Sequence, residues 1–377
     1  NVADRAMVSA LRVSRDVGPD GNLGLIFTGR GAPGVSNEVG GVDGRFTFAR
    51  SWIASAQTVT SVTTESGARR TGQASKLTLH RTGRQLNWSL QYDDRDPDFR
   101  TDVGFINRVD VRDAASRLSY RFRPEGRWLI AWGPDFGVEQ VWDHRGLRLG
   151  TTYTPQLTLE LARGTSLIVF PTFASDVISP ADVANLTANR AFGEDQTGFS
   201  FASSIFARCV VSAALSAGGG IDFVPPAGAA PEAANVLNAS TMLSLRATNA
   251  LTVDGSYIVT RVRDRNVHAD HFDEQIVRTV ATYQFTPAAS VRTIVQFHGL
   301  MPNAGFTSAE LTRQLTADFL FTYLLHPYTA LYVGYTVDRQ NLDPALLPTT
   351  SGLVRTRSSL LDDGRQLFVK VSYLIRR

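Results

Sequence analysis

Long segments that alternate apolar and polar residues with a period of two dominate this sequence. In QLNWSLQYDD, Leu86, Trp88, Leu90 and Tyr92 alternate with Asn87, Ser89, Gln91 and Asp93, the spacing of a half-buried strand and not of a helix. LRLGTTYTPQLTLEL places Leu147, Leu149, Tyr153, Leu157, Leu159 and Leu161 on one face, with Arg148, Thr152, Thr154, Gln156, Thr158 and Glu160 on the other. The same period runs through LTRQLTADFLFTYLL, TALYVGYTVDR and the closing QLFVKVSYLIRR. Soluble sandwich strands average about five or six residues, whereas a strand that crosses a bilayer at a tilt needs roughly 9–11. These runs have the second length.

No segment reaches the ~18 uninterrupted apolar residues of a membrane-spanning helix, so a helical membrane protein is excluded. What remains is a sheet with one oily face and one polar face. Backbone amides in hydrocarbon must pair with one another, and only a closed barrel leaves no unpaired edge. The polar face is rich in Thr, Ser, Asn, Gln and Gly. Charged residues make up only 19% of the 377 residues, below the roughly 25% of soluble domains, which suits an aqueous lumen better than a soluble surface. A propeller would carry a repeat of roughly 40 residues, and none is present.

The connections alternate in length. Short ones (GPDGN, ARS, RTGR, RPEG, ARG, ATNA, TPAAS, LHPYT) interleave with longer ones (TGRGAPGVSNE, TTESGARR, DDRDPDFRTD, SDVISPADVANLTANRAFGED, VPPAGAAPEA, RVRDRNVHADHFDE, GLMPNAGFTSAE and 338–365). Tight turns at one end and long loops at the other are the asymmetry of an outer-membrane barrel, with the loops extracellular. The expected fold is a single all-β domain over 1–377, a large antiparallel transmembrane β-barrel of about 18–20 strands. VGFINRVDVRDAASRLSYRF switches its apolar face from Phe105, Val109 and Val111 to Leu118, Tyr120 and Phe122, which suggests one long strand with a β-bulge. If the last strand descends to the periplasm, AMVSALRVS descends too, and at least one ascending strand is expected before residue 1. The opening residues carry no signal-peptide pattern. Trp52, Trp88, Tyr92, Tyr323, Tyr328, Tyr335 and Tyr373 are placed near strand ends, as an interfacial girdle would have them, with a core role as the competing reading.

The segments NLGLIFTGRG, NEVGGVDGRFTFA, DPDFRTDVGFINRVD, FLFTYLLHPYTALYVGYTVDRQ and GRQLFVKVSYLIRR together resemble the C-terminal domain of unknown function that follows a family-9 carbohydrate-binding module in large proteins of Gram-negative bacteria. The resemblance covers essentially the whole chain and is most specific in DPDFRTDVGF and KVSYLIR. It implies an outer-membrane barrel with a binding module and further strands upstream, and carries no established activity. Val371, Tyr373 and Ile375 resemble the alternating signal read by the barrel-assembly machinery, although Arg376 and Arg377 stand where a final aromatic is usual.

Chemistry is sparse. The expected lumen-lining charges are Arg12, Asp43, Arg45, Asp93, Arg148, Glu160, Arg246, Asp254, Arg292, Asp318, Asp338 and Lys370, with His298 beside them. Mixed signs at this density either brace a barrel by ion pairs or set the field of a pore. RDRNVHADHFDE holds weak metal candidates in His268, Asp270, His271 and Asp273, but its spacing matches no zinc signature and a solvated loop is the plainer reading. Asp93, Asp94, Asp96 and Asp98 lack the glycine and spacing of a calcium loop. Six scattered histidines with no nucleophile elbow argue against an enzyme. Cys209, the one cysteine, rules out internal disulfides, and SAGGGIDF has no P-loop lysine after it. A net charge of +3 with Lys76 and Lys370 as the only lysines gives no nucleic-acid footprint, and no cofactor is called for. Expected partners are outer-membrane lipid, the assembly machinery and a periplasmic or surface protein. The expected function is a pore or transport conduit in a bacterial outer membrane, for glycans or other small polar solutes. Its rival is a plugged or partner-filled barrel that anchors a binding module or surface assembly.

Overall fold

A computed structural model describes residues 6–180, 182–183, 185–326, 329–343, 354–355 and 360–373. It is all-β, with no helix among the described residues. The strands are β1 (Met7–Asp16), β2 (Gly21–Ala32), β3 (Val35–Phe48), β4 (Trp52–Glu65), β5 (Ala68–Arg81), β6 (Leu86–Arg95), β7 (Val111–Tyr120), β8 (Leu129–Trp142), β9 (Arg148–Leu161), β10 (Thr165–Ile178) and β11 (Arg190–Gly193). They continue with β12 (Gln196–Phe206), β13 (Cys209–Asp222), β14 (Glu232–Arg246), β15 (Leu251–Asp264), β16 (Asp270–Gln284), β17 (Ala289–Pro302), β18 (Thr312–His326), β19 (Thr329–Gln340), β20 (Leu342–Asp343), β21 (Val354–Arg355) and β22 (Leu361–Ser372). Twenty belong to the main antiparallel sheet, and β20 with β21 forms a separate two-residue ladder. The strand number and all-β class agree with the sequence reading.

The chain divides into two compact units. The first comprises Asn1–Pro124, Ala131–Thr158 and Pro171–Ile178; the second comprises Glu125–Ile130, Leu159–Phe170 and Ser179–Arg377. In the first, β1 to β8 form an antiparallel meander in which each strand pairs with the next. In the second, β12 to β19 do the same and β19 then pairs with β22. The described pairings give β1 one partner, β2, and β22 one partner, β19. All ten residues of β1 and those of β22 from Asp362 onward are exposed on both faces.

Elsewhere the two faces differ. Leu25 and Val42 oppose each other in register and are 57% and 50% exposed. On the other face of the same strands lie Asp43, Arg45 and the fully buried Asn37. A sheet with outward-facing, exposed leucines and valines and a polar inward face inverts the arrangement of a water-soluble protein. Aromatic rings gather beside the short connections. Phe48 stacks on Trp52 at 6.2 Å and Trp52 meets Trp88 edge-on at 5.8 Å in the first unit, and Tyr283 meets Phe285 at 4.8 Å in the second. The Trp88 indole N–H donates to Ser116 Oγ at 3.0 Å, the amphipathic placement expected at an interface. Tyr335 and Tyr92 lie well inside β19 and β6 and do not join such a girdle. Tyr328 lies outside the described residues.

Three local expectations are corrected. TGRGAPGVSNE and TTESGARR are not long loops, because β2 and β3 run to a two-residue turn at Pro33 and Gly34, and β4 and β5 to one at Ser66 and Gly67. Gly34 at φ +78, and Ser66 and Gly67 at φ +51 and +83, supply the left-handed conformations that such turns require. VGFINRVDVRDAASRLSYRF is not one bulged strand. Residues 96–110 form a loop, and β7 starts only at Val111.

Candidate functional site

The polar face of the first unit carries ion pairs built across strands. Arg12 on β1 donates to Asp43 Oδ1 on β3 at 2.7 Å, although β2 lies between them. Gly24, opposite Asp43 in the register, makes this reach feasible, since a Cβ there would sit 2.8 Å from Asp43 Oδ2. Lys76 and Asp93 lie 3.5 Å apart on adjacent strands, and Gln91 Nε2 also donates to Asp93 at 2.6 Å. Arg117 pairs with Asp135 at 2.7 Å, a pair the sequence reading did not name. In the second unit His298 Nε2 meets Glu274 Oε1 at 2.8 Å, Thr336 donates to Asp318 at 2.7 Å, and Gln314 and Thr316 donate to Asp338 at 3.2 and 3.3 Å. The ammonium of Lys370 lies 5.9 Å from the Tyr332 ring centre. Arg45, Arg148, Glu160, Arg246, Asp254 and Arg292 are distributed over β3, β9, β14, β15 and β17. Val371 closes β22 and Tyr373 follows it, both exposed, while Ile375 lies outside the described residues.

The loop at 96–110 folds onto that polar face. Phe99 is 3% exposed, and its backbone N lies where a Cβ on Gly72 of β5 would come within 2.2 Å. Asn37 Nδ2 donates to Arg100 O at 3.1 Å and to Thr63 Oγ1 at 2.9 Å, while Asp102 N donates to Asn37 Oδ1 at 2.9 Å. Arg100 N donates to Ser61 Oγ at 3.1 Å. Asp96 closes the base, accepting from Gln73 N at 2.8 Å and donating its own N–H to Gln73 O at 2.9 Å. The DPDFRTD segment, singled out by its resemblance, is thus the part of the loop bolted to the sheet. Sequence alone gave no sign of this, because Asn37, Ser61 and Gly72 are small residues on three different strands.

The far end of this loop is held by His144. Its backbone N–H donates to Asp110 Oδ1 at 3.0 Å, its Nδ1 lies 2.9 Å from the same oxygen, and its Nε2 lies 2.8 Å from Asp94 Oδ1. Asp96 also lies 3.5 Å from Nε2. Both ring nitrogens therefore face carboxylates. The His144 backbone N–H, reinforced by its ring and by Arg145, holds the Asp110 carboxyl below the usual carboxylate range against a smaller opposing effect of burial. A carboxyl with a depressed folded-state value contributes its stability above the ordinary value of about 3.9 and loses it as pH falls further. A nitroxide attached through Ile106→Cys in a Cys209→Ser background should become more mobile as pH drops below about 4. Asp110→Asn should flatten that response; an unchanged response would show that another group controls the loop.

A second histidine cluster lies among the longer loops of the second unit. His271, near the start of β16, is fully buried. Its Nδ1 lies 2.6 Å from Oδ2 of the equally buried Asp222, whose Oδ1 accepts from Val224 N at 2.8 Å. Phe306 stacks on the imidazole at 5.3 Å. Of the other residues proposed with it, Asp270 pairs with Arg263 at 2.5 Å and Asp273 with Arg261 at 2.7 Å, while His268 sits exposed in the turn at φ +57. The carboxylates near His271 come instead from Asp222, Glu232 and Asp264, at the ends of β13, β14 and β15.

No family model and no curated protein matches this chain. Solved structures do. The copper transporter OprC aligns over 98% of this chain and 72% of its own with a TM-score of 0.57 at 11% identity. The FrpB iron transporter from Neisseria meningitidis (F5-1 variant), in its apoprotein form, aligns over 98% and 72% with a TM-score of 0.53 at 10% identity. At such identities the similarity establishes fold: the strands adopt the arrangement of outer-membrane transporter barrels.

Proposed function

We propose that this chain forms the wall of a transport conduit in a bacterial outer membrane, with glycans or other small polar solutes as cargo. The observation that carries the proposal is the opposition of faces in one wall. Leu25 and Val42 project outward in exposed positions, while Arg12, Asp43, Lys76 and Asp93 form ion pairs on the other side. That opposition suits lipid outside and water inside. Fold similarity to transporters named for copper and iron supports conduction and leaves the cargo open, since function resides in the site and not in the fold. The glycan reading follows from the resemblance to domains behind carbohydrate-binding modules. On this reading the alternating face through Val371 and Tyr373 serves the assembly machinery.

The docked loop at 96–110 favours a second reading, in which the lumen is filled and the barrel anchors a surface assembly. Reconstitution into planar bilayers separates the two. A conduit gives stepwise conductance with weak ion selectivity, as mixed lumen charges predict. Silent insertion, confirmed by protease protection, transfers the assignment to an anchor.

A further inference from the structure

We propose that His271, Glu232 and Asp264 bind a divalent transition-metal ion of the zinc class, a property separate from any conductance of the barrel. His271 Nε2 is buried and has no hydrogen-bond partner. A neutral or protonated imidazole nitrogen in that position costs free energy unless something meets it. What faces it is a pair of carboxylates: Glu232 Oε1 at 3.8 Å and Asp264 Oδ2 at 4.0 Å. These gaps are too long for hydrogen bonds, yet an ion about 2.1 Å from each ligand bridges separations up to ~4.2 Å. Each carboxylate is thus near enough to share an ion with Nε2 but too far to share a proton with it.

The surroundings prepare the nitrogen as a ligand. Asp222 accepts from Nδ1, which fixes the tautomer that leaves the Nε2 lone pair for a metal, the carboxylate–histidine–metal arrangement of many zinc sites. Asp264 spends Oδ1 on the backbone N–H groups of Asn266 and Val267 at 2.6 and 2.8 Å and leaves Oδ2 turned to His271. Phe306 covers the ring, and its loop is tied down where Asn303 N donates to His271 O at 2.8 Å. The Glu232 side chain is 42% exposed and provides the route of entry. One imidazole nitrogen with carboxylate oxygens suits zinc-class ions; calcium prefers six to eight oxygens. The His144 cluster differs, because each of its ring nitrogens already lies within hydrogen-bond distance of a carboxylate, at 2.8–2.9 Å.

Titration of the full chain in detergent micelles at pH 7 with Zn²⁺ alone, followed by calorimetry, tests the assignment. One ion should bind per chain. Glu232→Gln and Asp264→Asn, both at partly exposed side chains, should each weaken binding by at least tenfold, and Asp222→Asn by roughly 10–100-fold through the lost orienting contact. His144→Gln should bind as the wild type does, and a hundredfold excess of Ca²⁺ should not displace the zinc. An absent heat of binding, a Glu232→Gln isotherm within threefold of wild type, or displacement by calcium overturns the proposal. Thermal unfolding of each variant, measured without metal, separates lost ligands from lost fold.

Discussion

Asn37→Ala is expected to free the loop at 96–110 from the sheet and, if the barrel conducts, to raise its single-channel conductance. The side chain is fully buried and joins three partners: it donates to Arg100 O and Thr63 Oγ1 and accepts from Asp102 N. Truncation leaves a backbone carbonyl and a backbone N–H of the loop without partners, at about 1–3 kcal/mol for each group that stays dry. The loop escapes that cost by lifting off. A net loss near 2 kcal/mol corresponds to roughly 30-fold lower amide protection for residues 98–102, measurable by hydrogen exchange in micelles. Gly72→Ala should act in the same direction by a different route, because its Cβ would lie 2.2 Å from Phe99 N and 2.5 Å from Phe99 Cα. Backbone cannot rotate aside as a side chain does. If exchange at 98–102 is unchanged in both variants, the loop is not held by these contacts.

The strands were legible in the sequence because a two-sided solvent imposes a two-residue period, and nothing in these segments competes with it. Loop lengths were less legible. TGRGAPGVSNE and TTESGARR have the glycine, proline and charge of loops, but the pairing of Val35 with Ala32 and of Ala68 with Glu65 shows that those residues are the ends of long hairpin strands. Composition reports exposure, and exposure is shared by loops and protruding strand ends. In VGFINRVDV the apolar alternation belongs to a loop whose neighbour Phe99 finds its burial against Gly72, a contact that local periodicity does not contain. The charges of the polar face could be named individually but not matched. Arg12 reaches Asp43 only because a glycine stands between them, and register decides that. The same holds for His271, whose partner Asp222 lies 49 residues away. Its other carboxylates are gathered by the pairings of Asp222 with Glu232 and of Ala234 with Asp264, one strand end after another. Reading local sequence around RDRNVHADHFDE favours Asp270 and Asp273, which arginines occupy.

Val295→Arg should destabilise the folded protein in vesicles by about 2–4 kcal/mol, the cost of arginine at the lipid-facing midplane of a barrel. Val295 lies midway along β17, opposite Ala317 of β18 and Thr279 of β16, and is 41% exposed. It has few neighbours to lose, so packing contributes little to the expected loss. The solvent outside the sheet decides the magnitude. In water an exposed valine replaced by arginine changes stability by less than about 0.5 kcal/mol, whereas in hydrocarbon the guanidinium must be desolvated or drawn toward the headgroups. Thr316→Arg supplies the comparison on the opposite face, one strand away, where Thr316 already donates to Asp338. Lining a wet interior beside a carboxylate, that arginine should change stability by under about 1 kcal/mol. Urea titration of the reconstituted protein, followed by heat-modifiable migration on gels, measures both. Equal, small effects at the two positions would mean that water bathes both faces, and the assignment of lipid to the Leu25, Val42 and Val295 side would fall with them.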